Sequence, residues 1–322
     1  MFVLEATGPA IAQAVLRLQR GEFVGLPTET VYGLAADAAN DLAVARVYAA
    51  KGRPEFNPLI AHVSSLDMAM VEAMLDERAQ RLVAKFWPGP LTLVLPLAGT
   101  HRVCELARAG LQTVALRMPG HPVALELIRA FGGPLAAPSA NRSGRISPTT
   151  ARDVVAELRE QPGLVLDAGP ARVGLESTIV AVLPGEAVRL LRPGGVSREA
   201  LLGVVGELAV SLAERIEAPG QLASHYAPRA RLRMNALAPE EGEAFLGFGP
   251  HHSEGCPNLS RAGDLVEAAA NLFTMLRSLD AGGVAAIAVA PVPEHGLGEA
   301  INDRLQRAAA PRSRTALRQP SP

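Results

Sequence analysis

Short apolar runs alternate along this chain with stretches in which apolar residues recur every three or four positions. The runs Phe23 to Leu26, Leu59 to Val63, Leu91 to Leu95, Thr113 to Met118, Leu164 to Leu166, Ser177 to Val182 and Val188 to Leu191 predict strands. Several are wholly apolar, which predicts burial on both faces. Helical period predicts Leu42 to Ala50 behind a cap at Asn40 or Asp41, Val123 to Ala130, and Ala151 to Arg159 behind Thr149 or Thr150. Strands interleaved with helices make the fold class α/β, not separate all-α and all-β parts.

The pattern breaks over Glu217 to Arg231, where Pro219, Gly220 and Pro228 interrupt any period and predict a connection. Beyond it come a strand (Arg231 to Met234), a helix from about Asp264 to Leu279, an apolar strand (Val284 to Ala290) and a last helix near Gly298 to Ala309, together a small α/β unit. At 322 residues the chain exceeds the usual limit of one core. The expected division is a larger domain over 1–210, a connection over 211–231 and a smaller domain over 232–322. No repeat at solenoid spacing occurs.

Composition narrows the classes. Hydrophobic residues at 48% and charged residues at 20% describe an ordinary globular protein. A formal net charge of −1 argues against a general basic surface for nucleic acid, though not against a local basic cleft. Cys104 and Cys256 are too few for a disulfide framework or a thiolate metal site and fit a reducing cytoplasm. No basic stretch precedes an apolar run at the amino terminus, and Val284 to Ala290 is too short to span a bilayer, so neither secretion nor membrane insertion is expected. Of 31 basic residues only Lys51 and Lys85 are lysine. Codon usage accounts for the bias, and against that background a lysine invites a chemical reason.

Three polar loops follow buried strands. Pro27 to Leu34 follows the first, where loop atoms crowd the carboxyl end of a sheet. Lys51-Gly52-Arg53-Pro54, with Asn57 and His62 after it, sets two cations across a glycine at a helix end. A helix dipole explains the charge, at roughly 0.3 to 1 kcal/mol, but not the glycine-proline framing, which suits convergence on phosphate oxygens. His62 by itself reads as a satisfied strand histidine. Pro138-Ser139-Ala140-Asn141-Arg142-Ser143-Gly144, then Ser147-Pro148-Thr149, offers hydroxyls and amides ahead of a helix, as an anion site requires. Capping by Thr149 or Thr150 accounts for the end of that stretch but not for Ser139-Ala140-Asn141. Arg117 ends an apolar strand, where a guanidinium could hold a carboxylate by two parallel hydrogen bonds. Glu176-Ser177-Thr178 opens one strand and Arg192-Pro193-Gly194-Gly195 closes the next.

Standard signatures are absent: no G-x-x-x-x-G-K-[ST], strand-linked G-x-G-x-x-G, C-x-x-C, H-E-x-x-H or G-x-S-x-G. Instead Pro27 to Leu34, Lys51-Gly52-Arg53-Pro54, Asn57-Pro58-Leu59, Trp87-Pro88-Gly89-Pro90-Leu91-Thr92, Pro138-Ser139-Ala140-Asn141 and Glu176-Ser177-Thr178-Ile179-Val180 together resemble threonylcarbamoyl-AMP synthases. That likeness runs from about Gly21 to Gly195. Pro219-Gly220, His225-Tyr226-Ala227-Pro228 and Gly298-Glu299-Ala300-Ile301-Asn302-Asp303-Arg304-Leu305 resemble the longer form with an appended carboxyl-terminal domain.

The resemblance implies a YrdC-like twisted mixed sheet with flanking helices and a smaller Rossmann-like α/β domain. It implies a cytoplasmic nucleotidyltransferase that joins L-threonine, bicarbonate or CO2 and ATP into threonylcarbamoyl-AMP and pyrophosphate, the first step of a tRNA adenosine modification that downstream transferase proteins complete. It places L-threonine at Thr30, His62, Arg117, Ala137 and Ser177, and ATP at Lys51, Arg53, Asn57, Thr113, Ser139, Ser147, Arg192 and Tyr226. Mg²⁺ is expected with ATP; no metal ligand and no general base is named. The connection bearing Tyr226 is expected to fold over the cleft. The competing class is a noncatalytic RNA-binding module, against which near-zero charge and few aromatics argue. A carbamoyl-adenylate enzyme of the hydrogenase-maturation type would need cysteine-rich modules that two cysteines cannot supply.

Overall fold

The computed structural model describes residues 1–158, 161, 163–210, 217–220, 225–250 and 255–311. Arg159 of the third predicted helix, residues 211–216 and 221–224 of the predicted connection, and residues 312–322 of the smaller domain lie outside the described residues.

In chain order the elements are β1 (Phe2–Glu5), α1 (Gly8–Gln19), β2 (Val24–Leu26), β3 (Gly33–Asp37), α2 (Asp41–Lys51), β4 (Ile60–His62), α3 (Leu66–Glu72), α4 (Glu77–Phe86), β5 (Leu91–Pro96), β6 (Thr113–Arg117), α5 (Pro122–Phe131) and β7 (Leu135–Ala136). There follow α6 (Ala151–Leu158), β8 (Leu164–Asp167), β9 (Thr178–Ala181), β10 (Arg189–Arg192), α7 (Arg198–Val205), β11 (Ala209–Val210), β12 (Arg231–Arg233), β13 (Glu243–Leu246), α8 (Leu265–Ala281), β14 (Ala286–Val289) and α9 (Gly298–Ala309). Caps fall where short polar side chains stand ahead of helical periods: Asn40 accepts from the Ala43 amide, and Asp264 accepts from the amides of Val266 and Glu267. At α6, Thr150 accepts from the Asp153 amide while the Asp153 carboxylate accepts from the amides of Thr149 and Thr150, a reciprocal cap.

Among the described residues, eleven strands form one twisted mixed sheet in the order β1-β8-β2-β3-β7-β4-β6-β5-β9-β10-β11. Three more, β12-β14-β13, form a parallel sheet backed by α8 and α9. Register decides where the chemistry falls. β4 and β6 run parallel with His62 opposite Arg117, β7 runs antiparallel to β4, and Gly33 bridges Ser139. β5 joins β6 antiparallel and β9 parallel, so Arg117, the start of β9 and the end of β10 reach one rim of the sheet.

The apolar core of the small unit is not its own. Leu246, Leu272, Phe273, Leu276, Ile287 and Ile301 are joined in it by Val31, Ile146 and Leu175 from the loops of the large sheet.

Candidate functional site

The loop after β2 is tied internally. Thr28 Oγ1 donates to the Val31 carbonyl at 2.6 Å and accepts from the amides of Thr30 and Val31. A hydroxyl has one proton, so in the 2.8 Å contact between the two threonines Thr30 is the donor. Thr30 Oγ1 then accepts from Arg117 Nη1 at 2.8 Å. Arg117 also donates from Nε to the Gly89 carbonyl and from Nη2 to Glu29 Oε1 at 2.6 Å, with both side chains of that pair 4% exposed. Three of its five N–H groups are thus held, which fixes the plane of the guanidinium, and one on each Nη remains for a carboxylate. Burial raises the carboxyl pKa of Glu29, but the Arg117 charge and hydrogen bonds outweigh it and leave the pKa below its ordinary value.

His62 and Ala137 come from the adjacent strand ends. Burial, aided by the Arg117 charge, pushes His62 down to about 3, so its imidazole is neutral. Ala137 donates its amide to the Ile60 carbonyl. Ser177 Oγ shares a proton with Thr92 Oγ1 at 2.7 Å, and Arg192 reaches the Ser177 carbonyl with Nη2 at 2.7 Å and Nε at 3.2 Å.

The two cations at the end of α2 take different partners. Lys51 is buried, and Nζ donates to the carbonyls of Ser139 and Asn141, while the Lys51 carbonyl accepts from the Ser143 amide. Burial, with the Arg53 charge, holds its ammonium well below the usual lysine range. The lysine therefore shapes the 139–143 loop. Gly52, at φ 58°, turns the chain so that Arg53 follows a different path. Arg53 donates from Nη2 to Asn57 Oδ1 at 2.7 Å and to the Pro58 carbonyl at 2.8 Å.

On the opposite wall Ser147 donates to Glu176 Oε1 at 2.5 Å, and Glu176 Oε2 accepts from Arg304 Nε at 2.7 Å. Gly194 is required beside it, because a Cβ there would stand 2.4 Å from the Glu176 carbonyl oxygen. Arg192 Nη1 reaches the Pro219 carbonyl at 3.2 Å. Tyr226, at φ 62°, is buried between Phe273, stacked at 5.6 Å, and the Arg304 guanidinium, 5.0 Å from its ring centroid.

These groups surround one small cavity of about 50 Å³. All five residues expected to hold threonine line it: Thr30, His62, Arg117, Ala137 and Ser177. Of the eight expected at ATP, Arg53, Ser139, Arg192 and Tyr226 line it. Lys51, Asn57 and Ser147 stand one residue behind, bonded respectively to Ser139, Arg53 and Glu176. Thr113 lies at the far end of β6 from Arg117, roughly 13 Å along the strand. Sequence reasoning did not assign Glu29, Thr92, Glu176, His225 or Arg304. Glu29 and Glu176 lie inside motifs that were singled out; nothing in the spacing showed that Arg304, from α9, would be wholly buried against Glu176.

Among the described residues no three His, Cys, Asp or Glu side chains gather as metal ligands. Glu176 is the carboxylate that lines the cavity, and both its oxygens are engaged. The donor set does not fit a resident metal. No helix is long and apolar enough to cross a membrane, among the described residues.

A family model described as "Telomere recombination" matches residues 17–194, and one described as "Threonylcarbamoyl-AMP synthase, C-terminal domain" matches residues 196–310. The threonylcarbamoyl-AMP synthase of Bacillus subtilis (strain 168) is 40% identical over 334 residues, spanning 96% of this chain and 95% of that protein. The enzyme of the same name from Schizosaccharomyces pombe (strain 972 / ATCC 24843) is 36% identical over 367 residues, spanning 94% and 89%. The crystal structure of P. abyssi Sua5 complexed with L-threonine matches with a TM-score of 0.88 at 36% identity, covering 96% of this chain and 98% of that one. With two family models and full-length relatives in agreement, the chain belongs to the threonylcarbamoyl-AMP synthases.

Proposed function

We propose that this chain makes threonylcarbamoyl-AMP from L-threonine, bicarbonate or CO2, and ATP, acting as a nucleotidyltransferase. The observation that carries the reading is the rim at Arg117: a rigid buried guanidinium with two free N–H groups, flanked by Thr30, neutral His62 and Ser177. That is a receptor for a small amino acid, its carboxylate on Arg117. The threonine nitrogen adds to CO2 to form a carbamate, a carbamate oxygen attacks the α-phosphorus, and the bond to the bridging oxygen breaks as pyrophosphate leaves. Little covalent work falls to the protein in such a step; positioning and charge neutralisation dominate. Arg53 and Arg192, both lining the cavity, supply cationic charge on the nucleotide side, and Lys51 holds the Ser139 loop. Mg²⁺ would enter as the ion of ATP, because the site offers no ligand set of its own.

The cavity of about 50 Å³ holds a few water molecules, against roughly 300 to 1,000 Å³ for ligand pockets generally. We infer that nucleotide binding displaces the described residues Pro219, Gly220, His225 and Tyr226, which line the cavity, and Ala218, which shares a buried apolar cluster with Ile60, Val94 and Ala115. We further propose the division 1–210, 211–231 and 232–322, a cytoplasmic location, and downstream proteins that pass the group to tRNA.

The test is pyrophosphate release from ATP and Mg²⁺ by purified protein, with and without L-threonine and bicarbonate, alongside Lys51→Ala. Release that needs both co-substrates and falls in the variant is expected. No release by the wild type would overturn the synthase reading.

A further inference from the structure

The three loops that build the site each place one apolar residue in the core of the small unit, immediately beside a site residue. Val31 follows Thr30, Ile146 precedes Ser147, and Leu175 precedes Glu176. The same unit sends a wholly buried charged side chain to the cavity wall of the large one. Arg304, on α9, is 1% exposed and is the bulkiest of the wholly buried side chains. It donates from Nε to Glu176 Oε2 at 2.7 Å and from Nη2 to the Pro193 carbonyl at 3.0 Å, pairs through Nη1 with Asp303 at 2.5 Å, and lies over the Tyr226 ring. Glu176 passes the restraint on by accepting from Ser147 Oγ. The units are also joined by Arg198–Glu299 and by Arg277 with Asp153 and Glu157, at partly exposed positions, and none of these pairs includes a residue that lines the cavity.

Resting on the synthase reading, we propose that Arg304 is a positioning residue for the nucleotide half of the site, so that the carboxyl-terminal unit completes the catalytic centre. Arg304 holds the Glu176 carboxylate turned toward Ser147, keeps the Pro193-Gly194 turn that follows Arg192 in place, and fixes the Tyr226 ring at the cavity wall. Its planar fork serves Glu176 and Pro193 at once, which a lysine ammonium in the same place cannot reproduce. Thr30, His62 and Arg117 make no contact with Arg304 in this network, and Ser177, which follows Glu176, is held independently by Thr92.

The experiment is steady-state pyrophosphate release by the full chain, with KM measured separately for ATP and L-threonine, in Arg304→Lys, Arg304→Met, Arg304→Met with Glu176→Gln, and Arg198→Ala. Expected are a rise of tenfold or more in KM for ATP in Arg304→Met, a smaller rise in Arg304→Lys, and KM for threonine within twofold in both. Arg198→Ala, which severs the other α9 ion pair, should leave both constants within twofold. Arg304→Met leaves a buried carboxylate without its partner and can fail to fold. The double variant removes that charge, should fold, and should keep the ATP-selective defect, since Ser147 and Tyr226 remain unheld. A folded Arg304 variant with wild-type KM for ATP, or one that raises both constants together as a general loosening would, overturns the proposal. Were the wild type to release no pyrophosphate, the synthase reading would fail by itself, and direct ATP binding by the same variants would still decide whether Arg304 shapes a nucleotide site.

Discussion

The two halves of the cavity are made differently. The half proposed for threonine is written into the sheet: His62 and Arg117 are register partners on β4 and β6, Ala137 is pinned to the Ile60 carbonyl, and Thr30 is locked by its own turn and by Arg117. The half proposed for the nucleotide is assembled from the 139–147 loop, the turn after β10, the connection around Pro219 and Tyr226, and one arginine of α9. The first half presents free donors into the cavity. The second is filled by its own side chains, with Arg192 spent on Ser177 and Pro219 and Tyr226 packed against Phe273. A rigid receptor for the small substrate beside a collapsed one for the large substrate implies that reorganisation accompanies ATP, not threonine.

The largest effect should follow from breaking the rigid half. Arg117→Ala removes both donors aimed at the threonine carboxylate and leaves Glu29 buried without its cation. Hydrogen bonds to a charged group contribute about 1.5 to 3 kcal/mol each, so KM for threonine should rise by roughly a hundredfold or more. Breaking a buried ion pair from one side should cost about 3 to 5 kcal/mol of stability. Adding Glu29→Gln should return most of the stability and none of the threonine affinity. If the double variant recovered both, Arg117 would be a structural group and the threonine receptor would lie elsewhere.

A pH titration of stability separates the halves more finely, since each buries one neutral histidine. Burial pushes both His62 and His225 down to about 3 from an ordinary value near 6.5. Between those values the unfolded chain binds more protons than the folded one, so stability rises with pH across the window. It is fully present above about 6.5 and is lost as pH falls toward 3. From pH 7.5 to 5.5 the pair should remove about 2 to 3 kcal/mol, read by denaturant unfolding. His62→Gln should remove more of that slope than His225→Gln if, as proposed, the segment around Tyr226 is displaced without unfolding of the whole chain. Equal reductions would erase the distinction between a preformed and an assembled half.

The same contrast explains how far the sequence could be read. Strands with continuous apolar runs, such as β5 and β6, and helices with clear caps, such as α2 and α8, emerge close to their expected limits. β3, Gly33-Leu34-Ala35-Ala36-Asp37, was missed because small residues carry little β propensity; it is a strand because β2 and β7 pair with it. The exposed edge strand β1 and the helices α1, α3, α4 and α7 were also missed; α3 and α7 are short, α4 is largely polar, and α1 opens on Gly8-Pro9, which reads as a turn. The five residues expected at threonine line one cavity because strand ends carry them there. The partners of Lys51 were not legible, because one of them is a carbonyl eighty-eight residues away, which no local spacing reveals. Arg304 lay in a motif that was noticed, but its target, Glu176, is 128 residues distant.

The smallest effect concerns the residue least in place. Thr113 is outside the present cavity, yet strand alternation sets it on the same face of β6 as Ala115 and Arg117. Ala115 shares a buried apolar cluster with Ala218 of the connection. If ATP displaces the connection, its far end comes to rest on this face, and Thr113 offers the nucleotide one neutral hydroxyl. Thr113→Val keeps shape while deleting that group, at about 0.5 to 1.5 kcal/mol for one neutral hydrogen bond. KM for ATP should therefore rise about threefold to tenfold, with KM for threonine unchanged. A KM for ATP that does not move would mean that the nucleotide stays within the rim of Arg53, Ser139 and Arg192. The connection would then need only to loosen around Tyr226, and the nucleotide half would be nearly as preformed as its neighbour.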